Sequence, residues 1–164
     1  MTCKPEDLLY KKVNLNLFRL FWPEFITTLS RYTDSMESLE SKLFELGKNI
    51  GEYIGKYWNI KYANFKKMIK QTFKFFSSSN NFKINKYQNK VEIIDKDCIL
   101  CRTAIEATKI HYCVVVSGFL EGILTKITDR FILENFPKNY IGRTKMSISS
   151  GDPVCKHEID FVFE

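Results

Sequence analysis

The sequence predicts an α+β fold, an antiparallel β-sheet of two hairpins packed on a bundle of long helices, and three observations predict it. Apolar residues recur at three-and-four spacing over residues 36–57 and again over 61–76. The period changes to two over residues 82–94 and 140–163, each time around a turn-forming group, Gln88-Asn89 and Ser150-Gly151-Asp152-Pro153. Between the hairpins, residues 112–130 are apolar on nearly all sides through Leu124, as a buried central helix is. The order fits a single domain over residues 1–164, mainly helical through residue 80 and hairpin-helix-hairpin from 81.

Residues 15–25 read as helical on both sides of a break at Pro23, with Phe18, Phe21, Trp22 and Phe25 clustered around it. The cluster is read either as an N-terminal helix packed on the core or as the wall of a ligand cavity. Thr33, Asp34 and Ser35 are N-cap candidates for the helix that follows, whose apolar set is Met36, Leu39, Leu43, Leu46, Ile50, Tyr53 and Tyr57. That helix also carries Gly47, Gly51 and Gly55 on one stripe, each costing about 1 kcal/mol relative to Ala. Something must approach the stripe closely, either a second helix or a flat ligand.

In residues 61–76, Tyr62, Phe65, Ile69, Phe73 and Phe76 share one side, and Ser77 to Asn81 form a turn. Cys98-Ile99-Leu100-Cys101 continues the end of the second strand, and residues 102–109 read as a loop or short helix. Gly118 and Gly122 of the central helix, four apart, offer a face to the glycine stripe. In the last strand Cys155, His157, Ile159, Phe161 and Phe163 share the core face, and Lys156, Glu158 and Asp160 the other.

Composition excludes several classes. Hydrophobic residues at 45% and charged residues at 27% indicate neither disorder nor membrane insertion. The net charge of +6 is spread along the chain without a basic block or an aromatic RNA-binding motif, which argues against nucleic acid as a partner. No secretion signal is evident at the N-terminus, so the expected location is cytoplasmic. Aromatic residues, 15% of the chain, fill a large core or line an apolar pocket. There is no G-x-S-x-G, H-E-x-x-H, phosphate loop or dinucleotide fingerprint. Glu121, the one acid in the apolar part of the central helix, is a proton donor if buried alone and a structural group if a lysine such as Lys126, a backbone donor or solvent meets it.

Five cysteines in a reducing compartment point to metal binding or buried thiols rather than disulfides. Cys98 and Cys101 have the C-x-x-C spacing of two thiolates on one zinc, and Cys113, Cys155, His111 and His157 are the available additions. Buried inert thiols remain the alternative.

Residues 90–164 carry a resemblance. Cys113 lies five residues before Gly118 in Gly-Phe-Leu-Glu-Gly122, and Ser-Gly151-Asp-Pro-Val-Cys155 leads into the final apolar strand. This pattern resembles the 4-vinyl-reductase domain family, particularly its stand-alone archaeal members, the hydrocarbon-binding proteins. The resemblance implies an α+β domain related in shape to TRAPP vesicle-tethering subunits, usually a homodimer, that binds a small apolar or aromatic molecule. It implies a sensor or carrier rather than an enzyme. A TRAPP-like interaction module and a tetrapyrrole-metabolism reductase are the alternatives.

The pocket would be walled by Phe18, Phe21, Trp22, Phe25, Gly47, Gly51, Val116, Phe119 and Leu120. The sensor branch of the family holds zinc through one cysteine of the central helix, a glutamate and two cysteines. Matched by position, the outer cysteines fall on Cys113 and Cys155, the glutamate on Thr144 and the middle cysteine on Ser147. Either the metal is lost, or Cys98 and Cys101 replace the missing pair in a site of four thiolates, Cys98, Cys101, Cys113 and Cys155.

Overall fold

The structure, a computed structural model, describes residues 21–57, 65–76, 81–101, 110–130 and 137–163. Four helices and four strands make up the described fold: α1 over residues 21–30, α2 Met36–Tyr57, α3 Phe65–Phe76, β1 Phe82–Lys86, β2 Lys90–Asp95, α4 Val114–Arg130, β3 Asn139–Met146 and β4 Cys155–Val162. The strands form one antiparallel sheet in the order β1-β2-β4-β3, so each predicted hairpin is present and β4 joins the two. This is the α+β class read from the sequence.

Residues 21–30 are helical straight through Pro23, whose carbonyl accepts a bond from the Thr27 hydroxyl at 2.9 Å, so no break falls there. Ser35 caps α2 by accepting the Ser38 N–H at 3.1 Å. Of the predicted apolar set on α2, only Leu39 and Leu43 are buried; Met36, Leu46, Ile50, Tyr53 and Tyr57 are exposed. Gly47, Gly51 and Gly55 form the buried stripe in their place.

The reason is the α2–α4 crossing. A Cβ at Gly47 would lie 2.8 Å from the carbonyl carbon of Val115 and nearer its oxygen, and one at Gly51 would lie 2.8 Å from the amide nitrogen of Ile123. From the other side, Gly118 and Gly122 face the backbone of Phe44, Lys48 and Glu52. The second helix, not a flat ligand, therefore occupies the space beside Gly47 and Gly51. Bare backbone on both helices lets the axes approach until α2 turns its large side chains outward.

Glu121 ties three elements together. Its Oε1 pairs with Lys48 Nζ of α2 at 2.9 Å, and its Oε2 accepts the Gly142 N–H of β3 at 2.8 Å. The lysine is Lys48 rather than Lys126, which pairs with Asp129 instead. Both carboxylate oxygens are engaged in structural bonds.

The inner face of the sheet carries Val91, Ile93, Cys155, His157, Ile159 and Phe161 against α4. Phe163 lies past the end of β4 and is exposed, contrary to the strict alternation. On the outer face Lys156 bridges Glu92 at 2.9 Å and Glu158 at 3.5 Å, and Arg143 pairs with Asp160. No helix among the described residues is long and apolar enough to cross a membrane.

Candidate functional site

Three chain segments converge at the end of the sheet where β2 stops and β4 begins. The register pairs Asp95 with Cys155. Asp95 Oδ1 then accepts the Asp97 N–H at 2.9 Å and turns the chain inward. Cys98 to Cys101 follow as a tight turn, closed by Cys101 N–H to Cys98 carbonyl at 3.1 Å, and not as the continued strand that their apolar filling suggested. Cys113 precedes α4 from the other side.

The consequence is a cluster. The sulfurs of Cys98, Cys101, Cys113 and Cys155 all lie within 4.8 Å of one another, and all four residues are buried. Both alternatives for His111 and His157 fall away. His111 lies against Glu40 of α2, its backbone N–H donating to Oε1 at 2.8 Å and its Nδ1 3.8 Å from the same oxygen, and His157 turns its Nδ1 to Ser117.

Ser147, one of the two positions where the resemblance leaves a ligand missing, opens an irregular turn. The final hairpin is interrupted there by a bulge between Thr144 and Met146 and a 3-10 turn over Ile148–Ser150, where the sequence suggested unbroken strand. Asp152 accepts the Ser147 N–H at 2.7 Å, and Gly151 adopts the left-handed conformation, φ 93°, that closes the turn. Ser147 Oγ then sits 3.4 Å from the sulfurs of both Cys101 and Cys113. Ile148 donates its N–H to Cys155 Sγ at 3.4 Å. The Ser147 hydroxyl continues to Ser149 at 2.7 Å, and Ser149 to the Ile110 carbonyl at 2.7 Å. Thr144 Oγ1 lies 2.8 Å from Ser117 Oγ. Ser147 thus belongs to the polar surroundings of the cluster, while Thr144 bonds Ser117.

As thiols, Cys98, Cys101 and Cys113 differ in proton affinity. The Cys101 sulfur is driven well below the ordinary cysteine range, because Cys113 first, then Cys155, Cys98 and the Ser147 hydroxyl direct hydrogen bonds at it. Cys98 is pushed up chiefly by its bond to Cys101, and Cys113 chiefly by burial.

The cluster fits a tetrahedral metal ion. Zinc–sulfur bonds of about 2.3 Å put tetrahedral sulfurs about 3.8 Å apart, within reach of the spacing here. The Ile148 N–H and the Ser147 hydroxyl would supply the outer hydrogen bonds that orient thiolates on such an ion.

Against this cluster lies a cavity of about 10 Å3, lined by Phe73, Asp95, Cys98, Ile99, Leu100, Val116 and His157. That is room for a single water. Of the nine pocket residues read from the sequence, Val116 lines it. Phe119 and Leu120 are fully buried in the core, Trp22 is buried, and Phe21 is exposed and stacked on Phe25 at 5.6 Å. Phe18 lies outside the described residues. His157 is fully buried, and burial pushes its imidazole down to about 4, so the ring is neutral at physiological pH.

Sequence reasoning passed over Ser117, Phe73 and the supporting role of Ser147. Ser117 was open to discovery, since it lies one turn after Cys113 on the same helix face.

The fold and cluster together define a class: an α+β domain with an antiparallel sheet, a glycine-crossed helix pair and four clustered thiols. No family model and no curated protein matches the sequence. Solved structures do. A trafficking protein particle complex subunit 3 from Naegleria fowleri, covalently bound to palmitic acid, aligns with TM-score 0.72 and 15% identity over 93% of this chain and 99% of its own. The phenol-responsive sensory domain of the transcription activator PoxR, with phenol, aligns with TM-score 0.56 and 12% identity over 90% of this chain and 74% of its own. A vinyl-4-reductase family protein from Methanocaldococcus jannaschii aligns with TM-score 0.47 and 18% identity, covering 90% and 80%. The chain shares the fold of the trafficking subunit and the sensory domain, the relation in shape that the sequence pattern implied.

Proposed function

We propose that this chain is a non-catalytic binding domain that takes a small apolar or aromatic molecule between α3, α4 and the sheet. Zinc held by Cys98, Cys101, Cys113 and Cys155 fixes one wall of that pocket. One observation carries the reading: the turn that supplies Cys98 to the cluster also supplies Cys98, Ile99 and Leu100 to the cavity lining. The turn over residues 98–101 thus gives two cysteines to the metal clamp and three residues to the pocket wall. The phenol and palmitate in the two structures of like fold support a ligand in this fold.

When bound, zinc cross-links the first hairpin, the start of α4 and the last hairpin, segments far apart in sequence, and contributes folding free energy. The chain's own residues do the rest. Phe73, Ile99, Leu100 and Val116 offer the ligand apolar surface worth about 25 cal/mol per Å2 covered. A ligand larger than water enters as Phe73 and Val116 change rotamer. The occupied carboxylate of Glu121 leaves it a structural group, which weighs against the reductase alternative.

The test is thermal unfolding of the zinc-loaded protein against a panel of small aromatic and aliphatic molecules, repeated after strong chelation. The reading expects at least one stabilising ligand, with the shift lost on chelation. A flat panel together with no extractable ligand in the purified protein contradicts it.

A second reading has its own observation. Leu46, Ile50, Tyr53 and Tyr57 form an exposed apolar stripe at heptad-like spacing along α2. That face suits a protein contact, and a homodimer through it unites this reading with the first. Native mass of the wild type and of Ile50→Asp tests it: a dimer that becomes a monomer supports the contact, and a wild-type monomer removes it.

A further inference from the structure

The lysines form no contiguous block in the sequence, yet charge is unevenly divided along it. Residues 53–91 hold nine lysines, no arginine and no acid, while the whole chain carries +6, so everything outside this stretch is net negative. The fold then collects these lysines. α3 buries Met68, Ile69, Thr72 and Phe73 and turns Lys66, Lys67, Lys70 and Lys74 to solvent. Phe73 meets Phe82 edge-on at 4.9 Å, so α3 lies beside β1, the edge strand of the sheet, which adds the exposed Lys83 and Lys86.

This arrangement does not serve the helix. Lys66 and Lys67 stand in its first turn, where the macrodipole favours acids, and Lys66, Lys70 and Lys74 stack like charges at i,i+4. On the outer face of the sheet, by contrast, Lys90 and Lys156 each reach both Glu92 and Glu158. Neither α3 nor β1 contains an acid. Lys66 to Lys74 span about 12 Å of helix, comparable with a Debye length of about 8 Å at physiological salt, so these charges act on a partner together.

We propose that the face formed by α3 and β1 docks on an anionic phospholipid surface and holds the domain at the headgroups of a membrane without inserting into it. The composition of the face selects this occupant. A protein partner would have to desolvate the ammonium groups, and lysine is depleted at protein interfaces where arginine is enriched. Recognition of nucleic-acid bases and of phosphorylated peptides draws on the arginine fork, and this face has none. A headgroup layer leaves lysines hydrated and asks for no fixed geometry. It rewards each lysine near the surface about fivefold in partitioning, the equivalent of about 1 kcal/mol. Docking uses only side chains that are already exposed.

The test is flotation of the full chain with vesicles of phosphatidylcholine alone and of phosphatidylcholine mixed with phosphatidylglycerol. The proposal expects binding to the anionic vesicles only, lost as salt rises towards about 1 M, where the screening length falls to about 3 Å. The triple variant Lys66→Gln, Lys70→Gln, Lys74→Gln, which keeps helix propensity, lowers partitioning about a hundredfold. A second triple variant, Arg31→Gln, Lys42→Gln, Lys145→Gln, removes the same charge from exposed positions on other elements and stays near wild type. Circular dichroism checks that both keep the fold. Equal losses in the two variants would reduce the effect to net charge and overturn the docking face. Equal binding of neutral vesicles, or none of anionic ones, overturns the membrane as occupant. A wild type that ignores vesicles but binds poly-glutamate through the same lysines gives the face to an acidic protein instead.

Discussion

Gly51→Ala is the perturbation that bears most directly on how the two long helices are held. In an isolated helix the change stabilises by about 1 kcal/mol, because alanine loses less conformational freedom. In this fold the new methyl lies 2.8 Å from the Ile123 amide nitrogen and 3.1 Å from the Phe119 carbonyl carbon, and these are backbone atoms of a helix that cannot rotate away. Ordinary contact needs 3.4 Å or more, so α4 must retreat by about 1 Å, which forfeits a quarter to a half of the dispersion energy along the seam. Overpacking of this kind costs about 3 kcal/mol. The net expectation is about 2 kcal/mol of destabilisation, or a fall in Tm of about 4–8 °C for a chain of this size. Urea unfolding followed by circular dichroism measures it, with Asn49→Ala on the exposed face of α2 as the control, expected within about 0.5 kcal/mol. Gly118→Ala does the same from α4, and the double variant costs less than the sum, since the helices have already parted. A stabilised or unchanged Gly51→Ala protein would refute the backbone-to-backbone crossing.

Other perturbations reach the remaining links. Glu121→Gln loses the Lys48 ion pair while keeping an acceptor for Gly142, and Glu121→Ala loses both; the expected costs are under about 1 and about 1–3 kcal/mol by denaturant unfolding, and equal costs would contradict the two-bond account. Glu92 is held down at about 2, chiefly by its bond to Lys156, against about 4.3 in an unfolded chain. A depressed carboxylate stabilises above the unfolded value and less as pH falls through the folded one. The stability difference between wild type and Glu92→Gln should therefore be flat above pH 5 and shrink between about 4.3 and 2; a difference constant to pH 2 would contradict it. Ser147→Ala removes the hydroxyl beside Cys101 and Cys113 and should weaken zinc affinity about tenfold or more in chelator competition; unchanged affinity would deny it a supporting role.

Much of this fold was legible because local pattern and tertiary environment agree. The two hairpins, the buried α4, the Ser35 cap and the inward-facing Cys155 and His157 all follow from period and turn chemistry. The α2 face was legible only in part. Its apolar period pointed at Leu46, Ile50, Tyr53 and Tyr57, while the burial went to the glycines, because close helix approach rewards the absence of a side chain. The C-x-x-C spacing marked Cys98 and Cys101, while the choice of Cys113 and Cys155 over His111 and His157 came from the family resemblance. What surrounds the cluster was not legible. Ser147 and Ser149 act through a 3-10 turn set by Asp152 and Gly151, and Ser117 meets His157 across 40 residues of sequence, a distance that no local period encodes.

The central claim is that four thiolates hold one metal ion and thereby fix the pocket wall. Native mass spectrometry of protein purified without added metal tests it most directly. The account predicts one zinc ion per chain, lost together with a large drop in Tm when Cys98 or Cys155 is changed to serine. A folded, metal-free wild type whose melting is indifferent to zinc and to chelator would contradict it.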